Sequence, residues 1–462
     1  MMSLELAARM AGAELRGSGT LEFDAVSTDT RSLADGSLFV ALRGEHFDGH
    51  GYLETARVRG AIAAMVDGKS GAESGDVGLP LLVVDDTRAG LARLAAQWRR
   101  RFPIPVIAVV GSNGKTTVKE MAAAILRAHH PAGHPAEKVL VTQGNLNNDI
   151  GLPLTLLRLR EEHVCAVVEI GMNHPGETGE LAPLAAPTIG VINNAQREHQ
   201  EFMCSVEAVA LEHAALLESI AVGGVAVINA DDAHAALWRE AAHRRGLRVR
   251  DFGIERAAAV TATYSSHAEG ASIDLGMPEG YVRVELHAFG EHNVRNALAA
   301  AAAATAAGAG IEAVARGLGM FRPVKGRLER KRGRRGATLL DDTYNANPDS
   351  VRAAIDVLAG ATGTRILVLG DMGEVGARGP EFHAEIGRYA RERGIERLFA
   401  VGKLARAAAQ AFGKAAVHFD AAENLAPAII GDLGAAATVL VKGSRFMRME
   451  RVVEALEAPA CS

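Results

Sequence analysis

The stretch Gly-Ser-Asn-Gly-Lys-Thr-Thr at residues 111–117 lies between an apolar run, residues 104–110, and a helix-forming stretch, residues 118–128. A strand, a glycine-containing loop and a helix in this order predict a phosphate-binding loop, here shorter than the usual G-x-x-x-x-G-K-[ST] pattern. Backbone N–H groups and the helix start can hold an anion, Lys115 can reach outer phosphates, and the Thr116 hydroxyl can bind Mg²⁺. A glycine turn that only caps a helix is the alternative. The pattern predicts nucleotide hydrolysis or transfer, with a loop formed by Gly111, Ser112, Asn113, Gly114, Lys115, Thr116 and Thr117.

Length and composition place this loop in a large globular protein. The 462 residues correspond to roughly three domains of about 100–200 residues each. The net charge of −5 gives no electrostatic reason to expect nucleic acid or an anionic membrane as a partner. The three cysteines, Cys165, Cys204 and Cys461, form no C-x-x-C pair and predict neither a disulfide framework nor a zinc site. The cysteine pattern fits a reducing cytoplasm, and no apolar run approaches the ~20 residues of a membrane span, so we expect a cytoplasmic protein. We also expect a monomer whose partners are small molecules.

The apolar runs divide the chain into three α/β domains. Residues 1–85 predict a small domain in which short strands alternate with polar turns. Residues 86–320 carry the phosphate loop and alternate strands with helices, which predicts a P-loop-type parallel sheet ending in an alanine-rich helix. Residues 321–462 predict a Rossmann-like α/β domain whose strands end in polar or glycine turns. Because ligands bind at the carboxyl ends of strands in open α/β sheets, these turns are expected to line one side of a cleft.

Polar residues beside predicted strands and helices are candidates for the site. Glu169 ends an apolar strand and could form a Mg²⁺ site with Thr116, although a carboxylate there can also be a solvated turn residue. His199 follows another strand and could be a second metal ligand or a phosphate contact, or a structural histidine. Asn293 and Asn296 begin the alanine-rich helix, where their amides could contact a base or cap the helix.

Four segments resemble, in order, motifs of the ATP-dependent Mur ligases of peptidoglycan synthesis. They are G-S-N-G-K-T-T at 111–117, E-I-G-M-N-H-P-G-E at 169–177, G-E-H-N-V-R-N-A-L at 290–298 and V-K-G-R-L-E at 324–329. The resemblance covers nearly the whole chain. It implies an amide ligase in which ATP first phosphorylates a substrate carboxylate and an amine then displaces phosphate from the acyl phosphate.

Two segments of the third domain separate the members of this family. The stretches D-D-T-Y-N-A-N-P at 341–348 and K-G-S-R-F-M-R-M-E at 442–450 resemble the members that add D-alanyl-D-alanine. The resemblance thus implies ligation of this dipeptide to UDP-N-acetylmuramoyl-tripeptide, giving the pentapeptide, ADP and phosphate. The alternatives are the sister ligase that adds the third amino acid, a folylpolyglutamate synthetase type, and a non-catalytic UDP-peptide sensor. A Tyr-Ala-His sequence and a D-N-P-R motif, expected in the sister ligase, do not occur here.

The resemblance also implies roles for residues at matching positions. Lys115, Glu169 and His199 would be catalytic, with Thr116, Glu169 and His199 near Mg²⁺, and Asn293, Asn296, Arg327 and Asp342 would contact ATP. The dipeptide would be held by Tyr344, Asn345, Asn347, Lys442, Ser444 and Arg445, the muramoyl peptide by Asn145 and Asn147, and the uridine nucleotide by Ser27, Thr28, Asp29, Thr30 and Arg31.

One position departs from the family pattern. Family members generally carry a carbamylated lysine that helps to hold a second Mg²⁺, and the matching residue here is His213. No lysine occurs between Lys138 and Lys325, so a carbamate cannot form in this region. His213, Glu212 or water could replace the carbamate, the second metal site could be weaker, or His213 could be only a helix residue.

Overall fold

The computed structural model describes residues 1–68, 77–130 and 135–459, and Cys461 lies outside these ranges. The chain forms three α/β units in succession, each built on a sheet that is mainly parallel. This architecture confirms the predicted fold class. No helix in the described part of the chain is long and apolar enough to cross a membrane.

The N-terminal unit has a five-stranded sheet in the order β2-β7-β6-β5-β4, in which only β2 runs antiparallel to its neighbour, and a small β1-β3 pair. Its buried strands are apolar runs, as the sequence predicts, and they pack against helices on both faces. The elements are β1 Met2–Ser3, α1 Leu4–Ala11, β2 Glu14–Arg16, β3 Glu22–Phe23, β4 Ala25–Ser27, β5 Ser37–Val40, α2 Leu53–Val58, β6 Ala61–Asp67 and β7 Leu81–Val84.

The central unit has a six-stranded, fully parallel sheet in the order β13-β12-β11-β8-β10-β9. The alanine-rich helix α10 packs against α4 and the sheet, and its small side chains are almost all buried. The elements are α3 Thr87–Arg99, β8 Val106–Val110, α4 Lys115–His129, α5 Pro135–Lys138, β9 Val139–Val141, α6 Gly151–Leu156, β10 Cys165–Glu169, α7 Glu177–Ala185, β11 Ile189–Ile192, α8 Val206–Glu218, β12 Val225–Asn229, α9 Ala235–Arg244, β13 Arg248–Phe252, α10 Glu291–Ala306 and α11 Ile311–Met320.

A three-stranded antiparallel sheet between β13 and α10 is absent from the sequence prediction. Its strands are β14 Thr261–His267, β15 Gly270–Met277 and β16 Gly280–Leu286. The outer strand β14 is largely exposed and polar, so it lacks the apolar run that marks the strands of the parallel sheet.

The C-terminal unit has a six-stranded sheet in the order β17-β18-β22-β19-β20-β21, with only β17 antiparallel. Helices cover both faces, giving two separate cores. The elements are β17 Glu329–Arg332, β18 Thr338–Asp342, α12 Pro348–Ala359, β19 Thr364–Gly370, α13 Gly379–Glu392, β20 Arg397–Val401, α14 Ala405–Phe412, β21 Ala416–Phe419, α15 Leu425–Ile430, β22 Ala437–Lys442 and α16 Glu450–Leu456.

Candidate active site

A cavity of about 940 Å³ lies between the central and C-terminal units. Residues that follow β8, β10 and β11 line one side, and residues at the ends of β18 and β22 line the other. The carboxyl ends of the strands therefore face the same space, which is the expected position for a ligand in an open α/β sheet. None of the described residues of the N-terminal unit, 1–68 and 77–85, lines this cavity.

The phosphate loop connects β8 to α4 and opens into the cavity. Gly114 precedes the first helical residue with φ +83°, a conformation that L side chains rarely adopt. A Cβ at this position would lie 2.4 Å from Asn296 Oδ1 and 2.6 Å from Asn193 Nδ2, so the position also requires a residue without a side chain. Lys115 Nζ lies 2.5 Å from the Gly111 carbonyl oxygen and 3.5 Å from Glu198 Oε2. The lysine is thus folded back over its own loop, at the edge of the cavity.

Glu169 is buried at the end of β10 and is held from two sides. The Thr116 hydroxyl donates to Glu169 Oε2 at 2.9 Å, and the Asn147 amide donates to Oε1 at 2.7 Å. Behind the carboxylate, the buried Lys119 ammonium lies 3.8 Å from Oε2 and donates to the Thr142 carbonyl. The sequence-predicted pair Thr116 and Glu169 is therefore in direct contact, and Asn147 joins it.

Glu198, which the sequence analysis did not select, is the centre of a buried charged cluster. Its carboxylate lies 3.5 Å from Lys115 Nζ, 3.8 Å from His199 Nε2 and 3.3 Å from His213 Nε2. Burial alone would raise the pKa of Glu198, but Lys115, His213 and His199 lower this pKa to about 2. The carboxylate is ionised at neutral pH. Its position directly before His199, after the end of β11, is the sequence signal that could have indicated it.

His213, the position that departs from the family pattern, lies on α8 and is 1% exposed. Its Nε2 is 3.3 Å from Glu198 Oε1, but neither ring nitrogen forms a well-aligned hydrogen bond within the described residues. Glu212 points elsewhere, because its carboxylate accepts the N–H groups of Gly176 and Thr178 at the start of α7, both at 2.7 Å. Of the two side chains that could replace a carbamate, His213 faces the charged cluster, whereas Glu212 is engaged in helix capping.

Asn293 and Asn296 lie on the first turns of α10 and form a chain of amides. Asn296 donates to Asn293 Oδ1 at 3.0 Å and accepts from Asn193 at 2.9 Å, and Asn193 in turn donates to the Asn113 carbonyl of the phosphate loop. The Asn293 amide also donates to the carbonyl of Phe289, just before the helix, at 2.8 Å.

The C-terminal unit contributes the other wall of the cavity. Arg327 donates to the Thr116 hydroxyl at 2.9 Å, and its guanidinium lies 4.1 Å from the centre of the Tyr344 ring. Lys442 bonds Asp342 at 2.6 Å and also donates to the Asn345 carbonyl. Arg327, Asp342, Tyr344 and Lys442 are therefore brought beside the phosphate loop from a distant part of the sequence.

Other predicted residues have local partners. Asn347 caps α12 through a capping box and exchanges hydrogen bonds with Asn113 across the cavity. Ser444 is buried and bonds the Ala346 carbonyl and the Gly373 N–H, whereas Arg445 is exposed and pairs with Glu450. Ser444 and Arg445 do not line the cavity.

The predicted uridine-nucleotide segment lies apart from the cavity. Ser27 ends β4 of the N-terminal unit, and Thr28, Asp29, Thr30 and Arg31 follow it. Hydrogen bonds to Arg31 lower the pKa of Asp29 to about 2, and the Ser27 hydroxyl bonds the Asp29 backbone. The segment is a well-connected turn on the surface of the N-terminal sheet.

Comparisons with known proteins agree with this geometry. Three family models match consecutive parts of the chain: "Mur ligase family, catalytic domain" at residues 22–99, "Mur ligase middle domain" at 109–304 and "Mur ligase, glutamate ligase domain" at 326–445. The chain belongs to the Mur ligase family.

The similar proteins share one activity in their names. The UDP-N-acetylmuramoyl-tripeptide–D-alanyl-D-alanine ligase of Escherichia coli (strain K12) is 40% identical over 449 residues, which cover 96% of each chain. The Haemophilus influenzae enzyme of the same name is 39% identical, covering 97% of each chain. A crystal structure of MurF from Acinetobacter baumannii has a TM-score of 0.90 and 33% identity, covering 98% of each chain. The MurF ligase of Thermotoga maritima in complex with ADP has the same fold, with a TM-score of 0.80, 24% identity and coverage of 93% of this chain and 96% of that one.

Proposed function

We propose that the cavity between the central and C-terminal units is the site of an ATP-dependent ligase reaction. The chain joins D-alanyl-D-alanine to UDP-N-acetylmuramoyl-tripeptide through an acyl phosphate, giving UDP-N-acetylmuramoyl-pentapeptide, ADP and phosphate in peptidoglycan precursor synthesis. The observation that carries this assignment is the meeting, in one cavity, of the phosphate loop, Glu169 and the segment 342–347 of the C-terminal unit.

In the first step, the γ-phosphoryl group of ATP passes to the carboxylate of the tripeptide. This transfer needs positioning and neutralisation of charge more than covalent help from the protein. The N–H groups of the loop and Lys115 hold the phosphates, and Arg327 approaches the same place from the opposite wall. Lys115 must leave its contact with the Gly111 carbonyl to reach a phosphate, a change of side-chain rotamer only.

In the second step, the amine of the dipeptide attacks the acyl phosphate and inorganic phosphate leaves. Tyr344, Asn345 and Lys442 hold the dipeptide beside the reacting carbonyl, and Asn347 fixes their segment against Asn113 of the loop. Ser444 supports this turn from behind, and the exposed Arg445 exchanges its contact with Glu450 for the dipeptide carboxylate. Asn293 and Asn296 contact the adenine, and Asp342 the ribose.

The residues fit Mg²⁺ as the metal of this reaction. Thr116 and Glu169 offer hydroxyl and carboxylate oxygens 2.9 Å apart, the hard ligands that Mg²⁺ prefers, leaving its other positions for water and phosphate oxygens. Across the residues the structure describes, no group of three His, Cys, Asp or Glu side chains is arranged to hold a metal ion. His199 would help to hold a second ion. Mg²⁺ would neutralise the charge that develops on the transferred phosphoryl group.

The remaining assignments follow from this reaction. Residues 1–85, with Ser27–Arg31, bind the uridine nucleotide, residues 86–320 bind ATP, and residues 321–462 close over ATP and bind the dipeptide. Asn145, beside Asn147, faces the muramoyl peptide. We place the protein in the cytoplasm, where ATP is supplied, and as a monomer, because one chain contributes every residue of the proposed site.

The test is phosphate release by the purified protein with Mg-ATP and UDP-muramoyl-tripeptide, with mass detection of the product. Release and the pentapeptide mass are expected with D-alanyl-D-alanine, and not with single amino acids or without an acceptor. Lys115→Ala should abolish turnover while the UDP-substrate still binds. Binding of ATP and the UDP-substrate without turnover by any acceptor would contradict the proposal and favour a UDP-peptide sensor.

A further inference from the structure

Arg197 of the central unit is bound by two carboxylates of the C-terminal unit. Its guanidinium lies 2.6 Å from Asp349 Oδ1 and 2.8 Å from Glu385 Oε2, and its backbone N–H donates to Asp349 Oδ2 at 2.9 Å. The ring of Phe382 lies beneath the guanidinium, with its centre 5.5 Å from Arg197 Cζ. The side chains of Arg197 and its two partners are 22–30% exposed, so this is a partly buried interaction and not a surface ion pair.

The guanidinium uses its planar fork on both partners. It donates three hydrogen bonds to Asp349 and two to Glu385, and the Arg197 backbone N–H donates another to Asp349. A lysine could keep the charge but not these paired contacts. The arginine therefore specifies an orientation between the two units as well as attracting them.

Arg197 stands directly before the charged cluster of the active site. The next residues are Glu198, which contacts Lys115, and His199, whose Nδ1 lies 2.7 Å from Glu374 Oε2 of the C-terminal unit. Two residues further, the Glu201 N–H donates to the Glu374 carbonyl at 3.0 Å. The segment from Arg197 to Glu201 is thus fixed at three points by the C-terminal unit.

The backbone of this segment is in a conformation that needs such support. His199 has φ +47° and its partner Glu374 has φ +56°, both in the left-handed region that is unfavourable for residues other than glycine. Residues with side chains keep such angles only where surrounding contacts determine them. Here those contacts cross from one unit to the other, so the orientation of His199 depends on the docked C-terminal unit.

We propose that Arg197 is a positioning residue that makes the placement of Glu198 and His199 conditional on docking of the C-terminal domain. With the domain docked, Asp349 and Glu385 hold Arg197 and the following residues lie at the phosphate loop. Without these contacts the segment relaxes and phosphoryl transfer slows, although each substrate can still bind to its own domain. This inference rests on the proposed function, because its readout is the ligase reaction.

The test compares three variants by steady-state kinetics and by calorimetric binding of the UDP-substrate. Arg197→Met removes the charge and fork, Arg197→Lys keeps the charge alone, and Arg352→Met is the matched control. Arg352 also contacts Glu385, at 3.3 Å, and stacks on Tyr389, but all three residues belong to the C-terminal unit. Arg352→Met therefore removes a partner of Glu385 without touching the contact between units.

Arg197→Met should lower kcat about 100-fold, the scale expected for displacing a reacting group by about 1 Å, while the Kd of the UDP-substrate stays within about twofold. Arg197→Lys should lower kcat about tenfold, and Arg352→Met less than about twofold. Equal losses of kcat in Arg197→Met and Arg352→Met would overturn the proposal, because the effect would then come from packing within the C-terminal domain. If Arg197→Met does not fold, Arg197→Lys decides, and a wild-type kcat in that variant overturns the proposal. Failure of the wild-type protein to form pentapeptide would instead contradict the proposed function itself.

Discussion

Replacing Gly114 by alanine should weaken nucleotide binding far more than the same change at a glycine with nearly the same φ angle. Gly114 has φ +83°, and Gly223, in a turn away from the site, has φ +82°. The Gly223 Cβ would meet no atom within 4 Å, whereas the Gly114 Cβ would meet the amides of Asn296 and Asn193 at 2.4 and 2.6 Å. Comparing the two alanine variants separates the free-energy cost of the backbone angle from the cost of displacing the two amides.

The magnitude follows from these contacts. A left-handed angle costs an alanine about 1–2 kcal/mol in either variant. At Gly114 the new methyl group must also break the Asn193–Asn296 hydrogen bond and the Asn193 bond to the Asn113 carbonyl, at about 1 kcal/mol each. If the loop shifts so that these two bonds remain, a bound nucleotide must return the loop to its original conformation. The same free-energy cost then appears as a roughly 30-fold larger Kd.

The assay is isothermal titration calorimetry with Mg-ADP on both variants and the wild-type protein. Gly223→Ala should bind within about twofold of the wild type, because its strain lies far from the loop. Equal affinities of Gly114→Ala and Gly223→Ala would refute the reasoning, since the close approach of the two amides to Gly114 would then have no role in shaping the loop.

Three further predictions test other parts of the molecule. Arg99 is 5% exposed and donates to four backbone carbonyls. Arg99→Met should therefore lower the free energy of unfolding by about 3 kcal/mol or more, which calorimetry would detect as a lower melting temperature. Arg100→Met, at the exposed neighbouring position, should change this free energy by less than about 0.5 kcal/mol. Burial raises the pKa of the Cys165 thiol to about 12, so iodoacetamide at pH 8 should alkylate the exposed Cys204 and leave Cys165 unmodified in peptide mapping of the native protein. His213→Ala should lower kcat about tenfold or more, because His213 faces Glu198. Glu212→Gln should mainly lower the melting temperature, because Glu212 caps α7. A larger loss of kcat in Glu212→Gln than in His213→Ala would reverse these roles.

The parallel sheets could be predicted from the sequence because their strands carry a local signal. The strands β8, β10, β12 and β22 are mainly apolar and buried on both faces, and β8 lies within the predicted apolar run 104–110. The three-stranded sheet could not be predicted in the same way. Only one face of β14 is covered, and its polar residues resemble those of a loop.

The residues of the candidate site likewise fall into those that a local sequence signal indicates and those that it does not. The phosphate loop and Glu169 follow strands directly, so a short stretch of sequence indicates them. Glu374 acquires its importance only when the units dock, since His199 and Glu374 are far apart in the chain yet 2.7 Å apart in space. The contact of Arg197 with Asp349 spans 152 residues. Apolar periodicity contains no information about how two separate cores are oriented, and so these contacts could not be predicted from it.

In the proposed reaction, a phosphoryl group is transferred to the tripeptide carboxylate in the cavity between the units before the amide forms. The most direct measurement uses UDP-muramoyl-tripeptide labelled with ¹⁸O in that carboxylate, together with Mg-ATP and D-alanyl-D-alanine. An acyl phosphate requires that the oxygen lost from the carboxylate leaves with the phosphate. We therefore expect one ¹⁸O atom in each phosphate released and none in ADP, as read by mass spectrometry. Formation of the pentapeptide with unlabelled phosphate would contradict the account.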